Sequence, residues 1–197
     1  MLTYQEIIKE EDPRLREKAL AVNLPLAAED IALLETLNAY LVAGYDPEYA
    51  EQNDIRPGVG LAAPQLGIRK QMFVVVAFDE NGELFHFGVI NPKIVSHSEE
   101  KVYLPSGEGC LSVDREVQGL VHRSKRISLS AHYYNFTTKE LTKQTLKLKD
   151  YIAIVCQHEL DHLHGILFVD HIDPINPFFI PDNSTAIVFP ASETKEN

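Results

Sequence analysis

This chain is short of cysteine, of basic charge and of long apolar runs, and each shortage removes a class of protein. Two cysteines in 197 residues cannot build a disulfide framework, so a reducing cytoplasm is the expected compartment. No stretch approaches the ~18 consecutive apolar residues of a membrane helix. Met1 leads into a polar segment, so no signal peptide is expected. With 18 Lys and Arg against 29 Asp and Glu, the formal net charge is −11. That balance argues against a broad basic face and gives no indication of direct nucleic-acid binding. Arg115, Arg123, Lys125 and Arg126 make a small local cluster of cations that reads as strand and turn residues facing solvent. Internal repeats and low-complexity linkers are also missing. At roughly 100–200 residues per domain, the chain is expected to form one domain over 1–197, with a disordered tail at about 192–197.

What is present reads as short elements around one apolar helix. Asp12-Pro13 opens a short helix to about residue 19. Glu29 or Asp30 caps a helix with apolar positions at Leu33, Leu34, Leu37 and Leu41, ending near Gly44. A polar loop covers 46–57. Strand patterns follow at about 71–78 and 84–90, joined across Asn81-Gly82, the strongest hairpin signal in the chain. More strands are expected at 93–98, 117–121, 127–134 and 140–148. Asp150 is the expected N-cap of a helix that begins with the apolar run 151–156, and Gly165 is its stop. Prolines 174, 177, 181 and 190 exclude a long helix from the tail, where 185–189 suits an edge strand. The fold class implied is α+β, mostly antiparallel sheet around a central metal-binding helix, with an N-terminal helix.

The chemistry sits on that central helix. His158 and His162 are four residues apart, so both imidazoles lie on one helical face and can reach one ion. Glu159 lies beside the first of them, placed to work on water activated by that ion rather than to bind it. A His-Glu-x-x-His string also arises by chance, but a buried helix must find partners for its two histidines, its glutamate and Asp161. A metal with its surrounding hydrogen bonds supplies them. Asp161 is read as orienting a ligand imidazole or neighbouring backbone. No histidine follows at the metzincin spacing, and His164 falls on the wrong face.

Two further strings complete the pattern. Glu108-Gly109-Cys110-Leu111-Ser112 presents a cysteine from a glycine-flanked turn, and a thiolate with two imidazoles leaves a fourth tetrahedral position open, as in catalytic sites. Cys156, inside the apolar helix run, reads as an inert core residue. Gly58-Val59-Gly60-Leu61-Ala62-Ala63-Pro64-Gln65 lacks the Lys-Ser/Thr of a phosphate loop and carries Pro64 where a following helix needs amides. It reads instead as a strand edge kept small for a substrate backbone, with Gln65 offering an amide N–H to a developing oxyanion.

These three strings, in this order across 58–162, resemble the peptide deformylase family. Residues 113–117 and the polar insertion at 46–56 resemble its longer, Gram-positive-type subclass, although Gln118-Gly119 stands where Pro-Gly is expected. The resemblance implies a hydrolase that removes the formyl group from the N-terminal methionine of new polypeptides. Cys110, His158 and His162 would hold the metal, and Glu159 would act as general base. The Leu111 N–H and Gln65 would hold the oxyanion. Composition of the donor set favours zinc, whereas the resemblance implies Fe(2+) in the cell, with Ni(2+), Co(2+) or Zn(2+) able to substitute. Val59 and Val155 are expected to line the methionine pocket, with Gly60 and Leu111 near the formyl group. The expected partners are N-formylmethionyl nascent peptides, with the ribosome as a candidate docking site and no membrane. Two rival readings stand beside this one: a His-Glu-x-x-His protease cutting internal peptide bonds, and a catalytically silent relative that binds nascent chains.

Overall fold

Met72–Phe78 contains no polar residue, and a strand of that kind needs cover on both faces. In the computed structural model, which describes residues 1–190, it has that cover. Alternate residues Met72, Val74 and Val76 join one buried cluster with Leu34, Leu37 and Leu41. Phe73, Val75 and Ala77 join another with Ile152, Ala153 and Cys156. The strand therefore lies between two helices, α1 (Ala28–Ala43) and α3 (Asp150–Leu163).

Five strands form this sheet. In chain order they are β1 (Gly60–Ala62), β2 (Met72–Phe78), β3 (Leu84–His97), then β6 (Arg126–Tyr134) and β7 (Leu141–Lys149). They lie side by side in that order, every neighbour antiparallel. β1 and β7 are the edges. A small second sheet, in the order β5 (Arg123–Ser124), β4 (Lys101–Tyr103), β8 (Ser184–Ala186), contains one parallel pair, β4 with β8. The expected α+β architecture is present, with the N-terminal helix covering the second face of the main sheet.

Several boundaries differ from those the sequence suggests. The helix expected from Asp12 is a single 3-10 turn, Pro13–Arg16, capped by Asp12 through the Arg14 N–H (2.9 Å). Asp30 is not the N-cap of α1; Ala27 is, and Asp30 sits in the first turn accepting the Ala27 N–H at 3.0 Å. Likewise Lys149, not Asp150, caps α3, so that helix starts one residue early. The expected loop at 46–57 contains a short helix, α2 (Pro47–Gln52), opened by Asp46, whose carboxylate accepts the Tyr49 N–H. The strands expected at 84–90 and 93–98 are one strand, β3, with register shifts after Ile90 and Ile94 that absorb Pro92. No strand forms at 117–121. There the chain turns through Gly119 (φ +142°), where a β-carbon would meet Ile172 at 2.4 Å, so glycine is required whatever precedes it. Gly165 (φ +75°) stops α3 as expected. The tail segment 192–197, expected to be disordered, lies outside the described residues.

Candidate active site

α3 carries the two histidines past the end of β1, and the turn before Cys110 closes over them. The Sγ of Cys110 and one nitrogen from each of His158 and His162 all lie within 4.8 Å of one another. Cys110 Sγ is 3.3 Å from His162 Nε2. His158 points its Nδ1 away, donating to Glu108 Oε2 at 2.8 Å, which leaves Nε2 for the cleft. One thiolate and two imidazoles at this spacing fit a divalent transition metal with one position open. Of the three buried side-chain polar atoms that lack a partner among the described residues, two are here, His162 Nδ1 and Glu159 Oε2, and the third is Glu80 Oε2 in the β2–β3 turn. Buried polar atoms without partners are rare, and their concentration here fits a site that a further group completes.

The electrostatics support the same assignment. Burial alone would raise the Cys110 thiol, but the facing His162 and His158 rings hold it well below its ordinary value, as a metal-ligating thiolate requires. Burial favours neutral His158, whereas its contacts to Cys110 and Glu108 raise it well above the usual range, so an ion bound at Nε2 would displace a proton from it. Glu159 is 3% exposed, and burial pushes its carboxyl up to about 7 despite the pull of the neighbouring imidazoles. Cys156 is fully buried and its thiol is pushed far up by that burial, which makes it the inert cysteine of the pair.

Gly60 explains its own identity. A β-carbon there would lie 2.3 Å from Glu159 Oε1, so only glycine lets this carboxylate sit against β1. Gln65 follows on a short 3-10 turn, 1% exposed. Its Oε1 accepts the Ala62 N–H (2.9 Å), which fixes the amide, while Nε2 reaches toward Ser112 Oγ (3.2 Å) and Cys110 Sγ (3.6 Å). Ser112 in turn donates its N–H to Cys110 Sγ at 3.4 Å. The Leu111 N–H has no acceptor among the described residues. A cleft of about 260 Å³ opens onto these groups, with Val59, Leu104, Tyr151, Ile154 and Val155 on its apolar side. Val59, Gly60, Gln65, Cys110, Leu111, Val155, His158 and Glu159 line this cleft, with His162 joined to it through the Cys110-His158-His162 group, whereas Asp161 does not line it.

One expected role is corrected. Asp161 contacts neither ligand imidazole: its Oδ2 accepts from Arg123 Nη1 (2.8 Å) and from His171 Nε2 (2.8 Å). The group that orients a ligand imidazole is Glu108, through His158 Nδ1, while Asp161 is taken up by Arg123 and His171. Arg123, read from the sequence as solvent-facing, is 5% exposed and holds Glu108 through Nε (2.5 Å) and Nη2 (2.9 Å). Burial opposes the Glu108 charge, but the bonds from His158 and Arg123 bring its carboxyl down to about 2. Glu108 was visible as part of the cysteine string; nothing in the sequence marked Arg123, because its partners are 15 and 38 residues away.

Comparison with known proteins agrees with this geometry. The family model described as polypeptide deformylase matches residues 4–178. The chain is 48% identical to peptide deformylase 2 of Geobacillus stearothermophilus over 187 residues, covering 95% of this chain and 99% of that one. Among solved structures it resembles the peptide deformylase of Thermotoga maritima (36% identity, TM-score 0.61, 88% of this chain and 100% of that one). It also resembles a class I type b peptide deformylase of Acinetobacter baumannii (27%, TM-score 0.68, 85% and 97%). Family match, chain-length relatives and the gathered Cys-His-His group lead to one statement: the chain belongs to the polypeptide deformylase family.

Proposed function

We propose that this chain removes the formyl group from the N-terminal methionine of newly made polypeptides, releasing formate. The observation that carries the reading is the meeting of Glu159, Gln65 and the Cys110-His158-His162 group at the free edge of β1. A divalent ion held by Cys110, His158 and His162 supplies Lewis acidity that activates water and the formyl carbonyl. Glu159 takes the proton from the attacking water and returns it to the leaving amine nitrogen. Its buried setting and raised pKa suit a group that must both accept and give a proton near neutrality. Gln65 Nε2 and the Leu111 N–H donate to the formyl oxygen as it gains charge. Glu108, held ionised by Arg123, keeps His158 in the Nδ1–H tautomer.

The substrate backbone adds as a strand beside 59–61, where β1 has, among the described residues, β2 on one side only. The methionine side chain enters the apolar side of the cleft at Val59 and Val155. The formyl carbon carries only a hydrogen, and a rigid wall at Gly60 and Leu111, both of which line the cleft, is what discriminates against a methyl there. Iron(II) is the resident ion in this reading, with nickel, cobalt and zinc as substitutes, and the cytoplasm is where formylated nascent chains are met. No helix of the described residues is long and apolar enough to cross a membrane.

The test is formate release from a formyl-Met tripeptide by anaerobically purified, iron- or nickel-loaded protein, beside Glu159→Ala with its metal content measured. Fast release that falls by about 10²–10⁴-fold in the metal-loaded variant is the expected result, the range for a lost general base. Absence of release from correctly metallated protein overturns the reading. Cleavage of casein or an unformylated peptide points instead to a protease. Metal analysis of protein made with ample iron checks the ion, and zinc in that preparation overturns the iron assignment.

A further inference from the structure

The charge of this chain is not evenly spread over its surface. β3, β6 and β7, strands of 14, 9 and 9 residues, lie side by side without one Asp or Glu, although the chain holds 29. They carry Lys93, Arg126, Lys143, Lys147 and Lys149. Register places these five on one face. Ile127, Leu129, Ala131 and Tyr133 are buried in the cluster under α3, so Arg126, Ser128, Ser130 and His132 face the other way. Arg126 pairs with Lys149, Ser128 with Lys147 and His132 with Lys143, while Lys93 lies opposite Ser130. Ser96 joins them through its hydroxyl, 2.8 Å from that of Ser128.

The N-terminal helix covers only the far end of this face, where Ile90, Tyr134 and Phe136 are buried with its leucines. Among the described residues nothing covers the basic end. Lys93, Lys143, Lys147 and Lys149 are exposed, and among the described residues only Arg126 of the five is ion-paired, with Glu100. A depression of about 420 Å³ lies between Ser98, Arg126, Lys147 and Lys149.

We propose that this face docks the phosphate backbone of double-helical RNA. Alternate residues such as Lys147 and Lys149 are ~7 Å apart along their strand, with the neighbouring strand ~4.8 Å away. The face is thus a regularly spaced array of cations and hydroxyls, suited to the wide, shallow minor groove of A-form RNA with its phosphates and 2′-hydroxyls. It offers no exposed Phe, Tyr or Trp on which unpaired bases would stack. Its cations alternate with Ser128, Ser130 and Thr145, not with the Trp, Phe or Leu that anchor a membrane-surface element. The net charge of −11 does not prevent contact, because charges beyond ~8 Å are largely screened at physiological ionic strength. The whole-chain charge balance conceals this local segregation.

The experiment uses full-length, nickel-loaded protein and a fluorescein-labelled RNA duplex of about 16 base pairs, read by anisotropy at about 50 mM and about 200 mM salt. Binding should weaken with salt at a log–log slope of about −3 to −4, for roughly four phosphates contacted. Lys147→Gln with Lys149→Gln should weaken binding at least ~10-fold and flatten the slope by about 2. Lys18→Gln with Arg69→Gln makes the same charge change on the segment packed against the end of α3, where Ala19 bonds Leu163, and should leave binding unaltered. Formate release should be unchanged in both pairs, which separates this proposal from the catalytic one. No binding at the lower salt, equal loss in both pairs, or equal affinity for DNA of the same sequence overturns it. Binding to phosphatidylglycerol vesicles without binding to RNA overturns it in favour of a membrane surface.

Discussion

At the scale of single residues, two side chains with no direct part in the proton transfer decide whether the site works. Gly60 is the first. Its missing β-carbon is the space Glu159 Oε1 occupies, at 2.3 Å. Gly60→Ala must displace that carboxylate, and a displacement of about 1 Å costs on the order of 10²-fold in rate. Formate release is therefore expected to fall by about that factor while metal content stays at wild-type level; undiminished release would show that Glu159 has another place to sit. Arg123 is the second. Its removal leaves Glu108 buried with one partner fewer, and breaking a buried pair from one side costs about 3–5 kcal/mol. Arg123→Leu should lose that much in urea unfolding. Glu108→Gln added to it should recover part of the loss, because the uncompensated charge is then gone.

At the scale of elements, α1 is held to the segment entering β1 by one phenol. Tyr40 is fully buried, donates its hydroxyl to Arg56 O (3.1 Å) and accepts the Arg56 N–H (3.2 Å). Burial pushes this hydroxyl from 10.0 up to about 12. The fold thus favours the neutral phenol. Its contribution is complete below pH 10.0 and is lost as pH rises toward about 12. Urea midpoints measured through that range should fall less steeply in Tyr40→Phe than in wild type. Elements were legible in the sequence where one periodicity ran unbroken, as in α1, β2 and the metal helix. They were illegible where tertiary contacts override local signals. Pro92 reads as a strand break, yet two register shifts carry β3 through it. Residues 117–121 alternate like a strand, but Leu120 gives its N–H to Pro177 and not to a neighbouring ladder. β4, β5 and β8 are two or three residues long and exist because β5 and β8 pair on either side of β4, which no local pattern reveals. The metal donors were legible because helical spacing and a glycine-flanked turn are local signals. The Glu108–Arg123–Asp161 chain was not, since its members meet only when β5 lies beside α3.

At the scale of the whole molecule, stability is tied to the metal site. Cys110 comes from a turn and both histidines from α3, so an ion bound to all three links separate parts of the fold. It also sets a positive charge near Glu159, whose buried Oε2 has no partner among the described residues. A ligand that binds only the folded state stabilises it by about 2.7 kcal/mol at a hundred times its Kd. Chelation should lower the thermal midpoint, and returning nickel should restore it. An unchanged midpoint in protein shown to be metal-free would mean that the three donors are held in place without help.

The free side of β1 has a consequence for time. In the proposed docking, a strand three residues long, paired among the described residues only with β2, would meet its guest through main-chain groups that all proteins share. Those groups are available only while the guest's own are unclaimed. A formylated terminus already wound into a helix or laid into a sheet has nothing left to offer this edge. Processing and folding of the new chain therefore compete for the same backbone, and proteins whose first residues fold soonest leave the shortest interval in which the formyl group can be removed.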